Sequence, residues 1–169
     1  GSEMCIRDRD VSQWVDAVIC DYNYVFDPHV RLQRYFADGE RGEYIFLVDE
    51  AHNLVERARE MYSAKLEKEE FLAAKKYYEP FKSVVKQINS CNRKLLELKR
   101  ECDVWKVLPE GEGIGSFVMA LERLYEALNR LSETHPEWTA PKEASEFFFH
   151  VRDFLEVYER LDEHYEVYM

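Results

Sequence analysis

Asp49 and Glu50 are the residues of this chain whose types and placement can do chemistry. They follow the apolar run Tyr44-Ile45-Phe46-Leu47-Val48 and open the tetrad Asp49-Glu50-Ala51-His52. Five apolar residues in succession, rich in β-formers, predict a strand buried on both faces. Two carboxylates at its carboxyl end stand where open α/β sheets place their ligands. One acid there can hold Mg²⁺ beside a row of phosphates, and the second can orient and polarise an attacking water. The pair also has a plainer use, since acids at a helix start favour the dipole and satisfy free N–H groups. His52, taken alone, reads equally as a helix-surface histidine.

The elements that must position these residues follow from periodicity. Residues 17–21 read as a short buried strand and 24–36 as helical, with Asp27-Pro28 interrupting the start. Residues 38–42 form a turn, 44–48 the strand that ends at Asp49, and 51–62 the helix after it. From 67 to about 105 the pattern is helical, in two pieces or kinked at Pro80. Within it Val84, Ile88, Cys91, Leu95, Leu98, Cys102 and Trp105 recur at alternating four- and three-residue steps, a coiled-coil-like seam. Phe117, Leu121, Leu124, Leu128 and Leu131 predict a third helix face, and Ser116 is its expected N-cap. After a loop at 135–141, Phe147, Val151, Phe154, Tyr158 and Leu161 predict a fourth. Helices joined by short loops, each with one apolar stripe, pack as an antiparallel bundle.

Composition bounds the function classes. The chain has 169 residues, a formal net charge of −11 and 46% hydrophobic residues, enough for a sizeable core and against disorder. No apolar run is long enough to span a bilayer and no signal peptide is visible, so a membrane partner is not expected and a cytoplasmic location is. Gly1-Ser2 reads as a cloning scar, and residues 1–9 are set aside as a leader. Cys5, Cys20, Cys91 and Cys102 lack C-x-x-C spacing, which argues against zinc and for buried reduced thiols. Cys91 and Cys102, eleven residues apart, are expected on one helix face.

Charge is unevenly divided. Residues 1–64 carry 7 basic and 13 acidic side chains, 65–100 carry 10 and 5, and 101–169 carry 6 and 16. Phosphate contacts dominate nucleic-acid affinity, so only the middle segment is a candidate for it, through Lys75, Lys76, Lys82, Lys86, Arg93 and Lys94, with Lys99 and Arg100 beyond. Those cations equally suit a solvated face that pairs with the acidic third and fourth helices. Tyr24, near a strand end, is a candidate for stacking on a base, and a core tyrosine at a strand–helix junction is the commoner alternative.

Val18-Ile19-Cys20-Asp21-Tyr22-Asn23-Tyr24-Val25-Phe26-Asp27-Pro28, followed by Phe46-Leu47-Val48-Asp49-Glu50-Ala51-His52-Asn53-Leu54, resembles the DinG/XPD family of superfamily 2 DNA helicases. There a strand, a Tyr-x-Tyr segment and an Asp-Pro turn precede a D-E-A-H-N box, the Walker B element. The resemblance is specific over about 15–64. It implies a mainly α fold: an antiparallel helical bundle, the arch-like insertion, attached to a small two-strand remnant of a RecA-like α/β motor domain. The implied division is 10–64 for the partial motor domain, 65–165 for the arch-like domain, and 166–169 for the start of a return strand.

The resemblance further implies ATP-driven translocation along single-stranded DNA, with a place in DNA repair. It implies Mg²⁺ and ATP as cofactors, with Asp49 on the metal through water, Glu50 polarising the nucleophile, and His52 linking the nucleotide site to the motor. Family members often carry an iron–sulfur cluster, whose ligands fall outside this sequence. The chain departs from the family in lacking the P-loop pattern G-x-x-x-x-G-K-S/T and the later motifs of the second motor domain. Gly111, Gly113 and Gly115 form the only glycine cluster, acidic and without lysine, and read as a flexible loop. The expectation is therefore a helicase piece, inactive alone, whose partners are single-stranded DNA and the rest of the motor. The alternative is a non-catalytic helical module that gates DNA or docks proteins. Exposed strand edges at 17–21 and 44–48 carry a risk of dimerisation.

Overall fold

The computed structural model describes residues 12–36, 42–102 and 104–169. The chain divides into two compact units, 1–63 and 64–169, and each is taken by itself.

The first unit contains two short helices, α1 (Asn23–Phe26) and α2 (Gln33–Phe36), and the longer α3 (Leu54–Met61), entered through a 3₁₀ turn at Ala51–Asn53. The helix expected across 24–36 is thus two pieces. Asp27 turns to extended backbone, and its carboxylate accepts the His29 N–H at 2.8 Å, closing an Asx turn around Pro28, which has no N–H to continue the helix. The strands expected at 17–21 and 44–48 form no ladder among the described residues. Both runs lack a neighbouring strand here to bond their N–H and C=O groups, which a strand requires. Ile19, Ile45 and Leu47 are almost wholly exposed, and no described side chain of the unit is fully buried. The burial expected on both faces of 44–48 is therefore absent in this chain. Tyr35, Phe36, Tyr44 and Phe46 form an aromatic group with ring centroids 5.8 to 6.4 Å apart.

The second unit is a four-helix arrangement built on α4 (Lys68–Tyr77), α5 (Lys82–Lys99), α6 (Gly115–Thr134) and α7 (Lys142–Tyr158). Pro80 separates α4 from α5, because its ring cannot occupy a helix interior. Helix α5 packs on α4 and α6, and α7 packs on α6 and α4, so the four close a ring around one core. That core gathers the predicted stripes: Val84, Ile88, Cys91 and Leu98 from α5, Phe117, Leu121, Leu124, Leu128 and Leu131 from α6, and Phe147 and Val151 from α7. Phe71 of α4 is wholly buried at its centre, edge-on to Phe147 at 5.2 Å and Phe117 at 6.3 Å. The Tyr78 hydroxyl donates to the Ala144 carbonyl at 3.1 Å, joining the end of α4 to the start of α7.

The chain is mainly α, as its periodicity implies. Its one two-stranded ladder among the described residues pairs β1 (Val107–Leu108) antiparallel with β2 (Val167–Tyr168), Val107 opposite Tyr168. The seam of α5 stops at Lys99, so Cys102 leaves the helix, its thiol 3.5 Å from the Met169 carbonyl, and Trp105 is exposed. Cys91 and Cys102 consequently share no helix face. The expected cap Ser116 lies inside α6. Buried Ile114 precedes the helix and its carbonyl accepts the Phe117 and Val118 N–H groups, so burial of that side chain sets the start.

Candidate functional site

The tetrad Asp49-Glu50-Ala51-His52 stands at a chain reversal. Residues 44–48 lead in without regular secondary structure, and Ala51–Asn53 begins the 3₁₀ turn that leads into α3. Glu50 makes the corner in left-handed backbone, φ 49° and ψ 39°, the only non-glycine residue with positive φ among those described. A side chain with a Cβ adopts that conformation at a cost of about 1 kcal/mol or more, and such strain gathers at functional sites. The corner sets the Glu50 carboxylate 3.2 Å from His52 Nδ1, an exposed pair. Asp49 Oδ1 accepts the Glu50 N–H at 2.9 Å, which orients one carboxylate oxygen along the backbone.

The Tyr-x-Tyr segment reaches the same corner. The Tyr22 hydroxyl donates to the Asp49 carbonyl, tying the end of the first apolar run to the end of the second. Asp21 Oδ1 accepts the Asn23 N–H at 3.0 Å and starts α1. Tyr24 is half-buried, and its carbonyl accepts the Leu32 N–H at 2.9 Å. The two runs line one largely apolar cavity of about 860 Å³, with Val25, Phe26 and Tyr35 on its walls. Asp49 is its only tetrad residue.

Whether this corner suits Mg²⁺ is decided by ligand number. Among the described residues no group of three His, Cys, Asp or Glu side chains converges as a protein-built metal cage would. Mg²⁺ seldom uses one; it takes one or two carboxylates and fills its shell with water and phosphate oxygens. An exposed Asp49 with one oxygen oriented by backbone fits that mode.

The basic candidates lie in the second unit. Lys75 and Lys76 are exposed in the last turn of α4, and Lys82, Lys86 and Arg93 are exposed on α5. At about 100° per residue, Lys82, Lys86 and Arg93 fall within roughly 40° of one another, opposite the buried Val84, Ile88 and Cys91. Lys94 stands apart, paired with Glu97 of its own helix at 2.6 Å, and that hydrogen bond holds the Glu97 carboxyl below its ordinary range. Among the described residues, none of Lys75, Lys76, Lys82, Lys86 and Arg93 pairs with a carboxylate of α6 or α7. Helix α5 therefore carries three of these cations, Lys82, Lys86 and Arg93, in one stripe. Sequence spacing alone held that signal, once the apolar seam fixed which way α5 faces.

The DEAD_2 family model matches residues 4–71, a helicase-like segment that contains the Tyr-x-Tyr run and the tetrad and covers less than half of the chain. The match begins at Met4, inside the stretch 1–9 set aside on sequence grounds as a leader. No curated protein and no solved structure matches the chain.

Proposed function

We propose that this chain is part of an ATP-dependent DNA helicase of the DinG/XPD kind, and that its first unit supplies the Walker B corner of the nucleotide site. One observation carries the reading: the Asp49–His52 tetrad sits on a strained corner at the end of an apolar run, held by the Tyr22 hydroxyl on the Asp49 carbonyl. The DEAD_2 match over the same residues supports it.

In this reading Asp49 holds Mg²⁺ through water, and the metal supplies charge neutralisation beside the ATP phosphates. Glu50 accepts a hydrogen bond from the attacking water. His52, 3.2 Å from Glu50 Oε2, keeps that carboxylate oriented and connects it to α3. The chain carries no P-loop pattern, so hydrolysis needs a phosphate-cradling segment and a second motor domain beyond these residues. Residues 10–64 are then motor-domain sequence, and the bundle is an arch-like insertion. The absence of any fully buried side chain among the described residues of the first unit agrees with a piece that packs against further protein.

The test is DNA-stimulated ATP hydrolysis in the intact parent protein. Glu50→Gln keeps the shape of the corner and removes the charge that polarises water, so turnover should fall about 10²-fold or more while ATP still binds. Unchanged turnover in that variant overturns the assignment. The 169-residue chain alone should hydrolyse no ATP above background. A second reading, a non-catalytic helical module for gating DNA or docking protein, draws on the bundle having a complete core of its own. Single-stranded DNA binding by the isolated chain that survives Glu50→Gln would favour that role for the bundle.

A further inference from the structure

Helix α6 carries two basic residues, Arg123 and Arg130, seven positions apart and so on one face. Both line a cleft of about 440 Å³ between α6 and the first turns of α5, together with Ser83, Gln87, Glu126 and His135. Neither arginine pairs with a carboxylate among the described residues, and Glu126 is the one acid on the cleft wall. The acids Glu122 and Glu133 of the same helix do not line it. A helix with more acids than bases has thus turned both of its bases into one concavity.

The opposite wall adds to the same polarity. Helix α5 starts at Phe81 with no side-chain cap, and Ser83 of its first turn faces the cleft. An uncapped first turn presents N–H donors and the positive end of the helix dipole. On the cleft wall, the Phe81 ring meets His135 edge-on at 5.3 Å, and behind it Trp138, which does not line the cleft, meets the same ring at 5.1 Å. Planar guanidinium donors, hydroxyl and amide donors and an aromatic rim suit a phosphate ester attached to a flat base. The volume lies in the range that holds one small ligand, about the size of a nucleotide.

We propose that this cleft binds a phosphate group, carried either by one unit of single-stranded nucleic acid or by a free nucleotide. Arg123 and Arg130 are its anchors, Ser83 contributes a neutral donor, and Phe81 with His135 offers the surface on which a base rests. The site is separate from the Asp49–His52 corner and stands whether or not that corner belongs to an ATPase.

The experiment is an NMR titration of the ¹⁵N-labelled chain, following the Ser83 amide and the His135 ring nitrogens. Three probes are used at low salt: inorganic phosphate, AMP and an oligothymidylate. The expected result is a shift of both reporters with at least one probe. The double variant Arg123→Gln/Arg130→Gln should raise the dissociation constant at least about tenfold, since charged hydrogen bonds of this kind are lost. Both arginines are exposed, so the variant keeps the fold, which its unshifted core resonances would verify. An oligothymidylate that binds more tightly than AMP identifies nucleic acid as the source; the reverse order identifies a free nucleotide. Reporters that stay still with all three probes, or shifts that the double variant leaves unchanged, overturn the proposal.

Discussion

The Tyr22 hydroxyl donates a hydrogen bond to the backbone carbonyl of Asp49, 27 residues further along the chain. It bridges two apolar runs that share no ladder, and it does so beside the one strained non-glycine corner among the described residues. Tyr22→Phe removes that bond and keeps the ring. A bond of this type contributes about 0.5–1.5 kcal/mol, so amides of residues 44–53 should exchange with deuterium several-fold faster, roughly five-fold, in the variant. Unaltered exchange would mean that the corner is held by other contacts.

The corner itself stores backbone strain at Glu50. Glu50→Gly should relieve it and stabilise the first unit by up to about 1 kcal/mol, whereas Glu50→Gln, with the same Cβ, should leave stability unchanged. Urea unfolding followed by tyrosine fluorescence compares the two. Stabilisation by Gln as well would point to the charge of Glu50, not its φ angle of 49°, as the source of strain.

Two buried groups predict an alkaline limb in the stability of the bundle. Burial pushes both the Tyr78 hydroxyl and the Cys91 thiol up to about 12, from ordinary values of 10.0 and 9.0. Each folded-state pKa is raised, so the native state holds a proton that the unfolded chain releases. The contribution is complete below pH 9 and is lost as pH rises toward 12. Tyr78→Phe should flatten that limb between pH 10 and 12 while costing about 1 kcal/mol at neutral pH through loss of the bond to Ala144. Circular dichroism in urea across this range reads both effects.

The cation stripe of α5 makes a prediction about single-stranded DNA. Lys82→Glu, Lys86→Glu and Arg93→Glu together should abolish low-salt binding of a labelled oligonucleotide, measured by fluorescence anisotropy. Neutral substitutions at the three positions should lower the salt slope by roughly 2, at about 0.7 per phosphate contact. Lys94→Gln should do little, because Lys94 is already engaged by Glu97. Equal effects of Lys94 and the stripe would mean that bulk charge alone governs binding.

The helical half of the fold was legible because its apolar positions repeat at helical spacing over long stretches. Leu121, Leu124 and Leu128 announce their burial by spacing, and Pro80 announces the break between α4 and α5. Shorter signals failed where a neighbour overrode them. Ser116 has the chemistry of a cap, but Ile114 is drawn into the core and starts the helix earlier. Phe147, Phe148 and Phe149 cannot share one stripe, and packing sorted them into a buried ring, a half-buried ring on Tyr125 and an exposed ring under Arg152.

By itself the sequence determined the helix faces of the bundle and the presence of the Asp49–His52 tetrad after an apolar run. Both are local, written in spacings shorter than one element. Only the tertiary structure decided which groups come together across elements: the Tyr22 hydroxyl with the Asp49 carbonyl, the Tyr78 hydroxyl with the Ala144 carbonyl, and Arg123 and Arg130 in one cleft with Ser83 of α5. It also decided that 17–21 and 44–48 form no ladder among the described residues and leave most of their side chains exposed, although their residue types are those of buried strands. Apolar β-forming residues set a preference for extended backbone, but a ladder exists only where a second strand stands about 4.8 Å away to complete its hydrogen bonds.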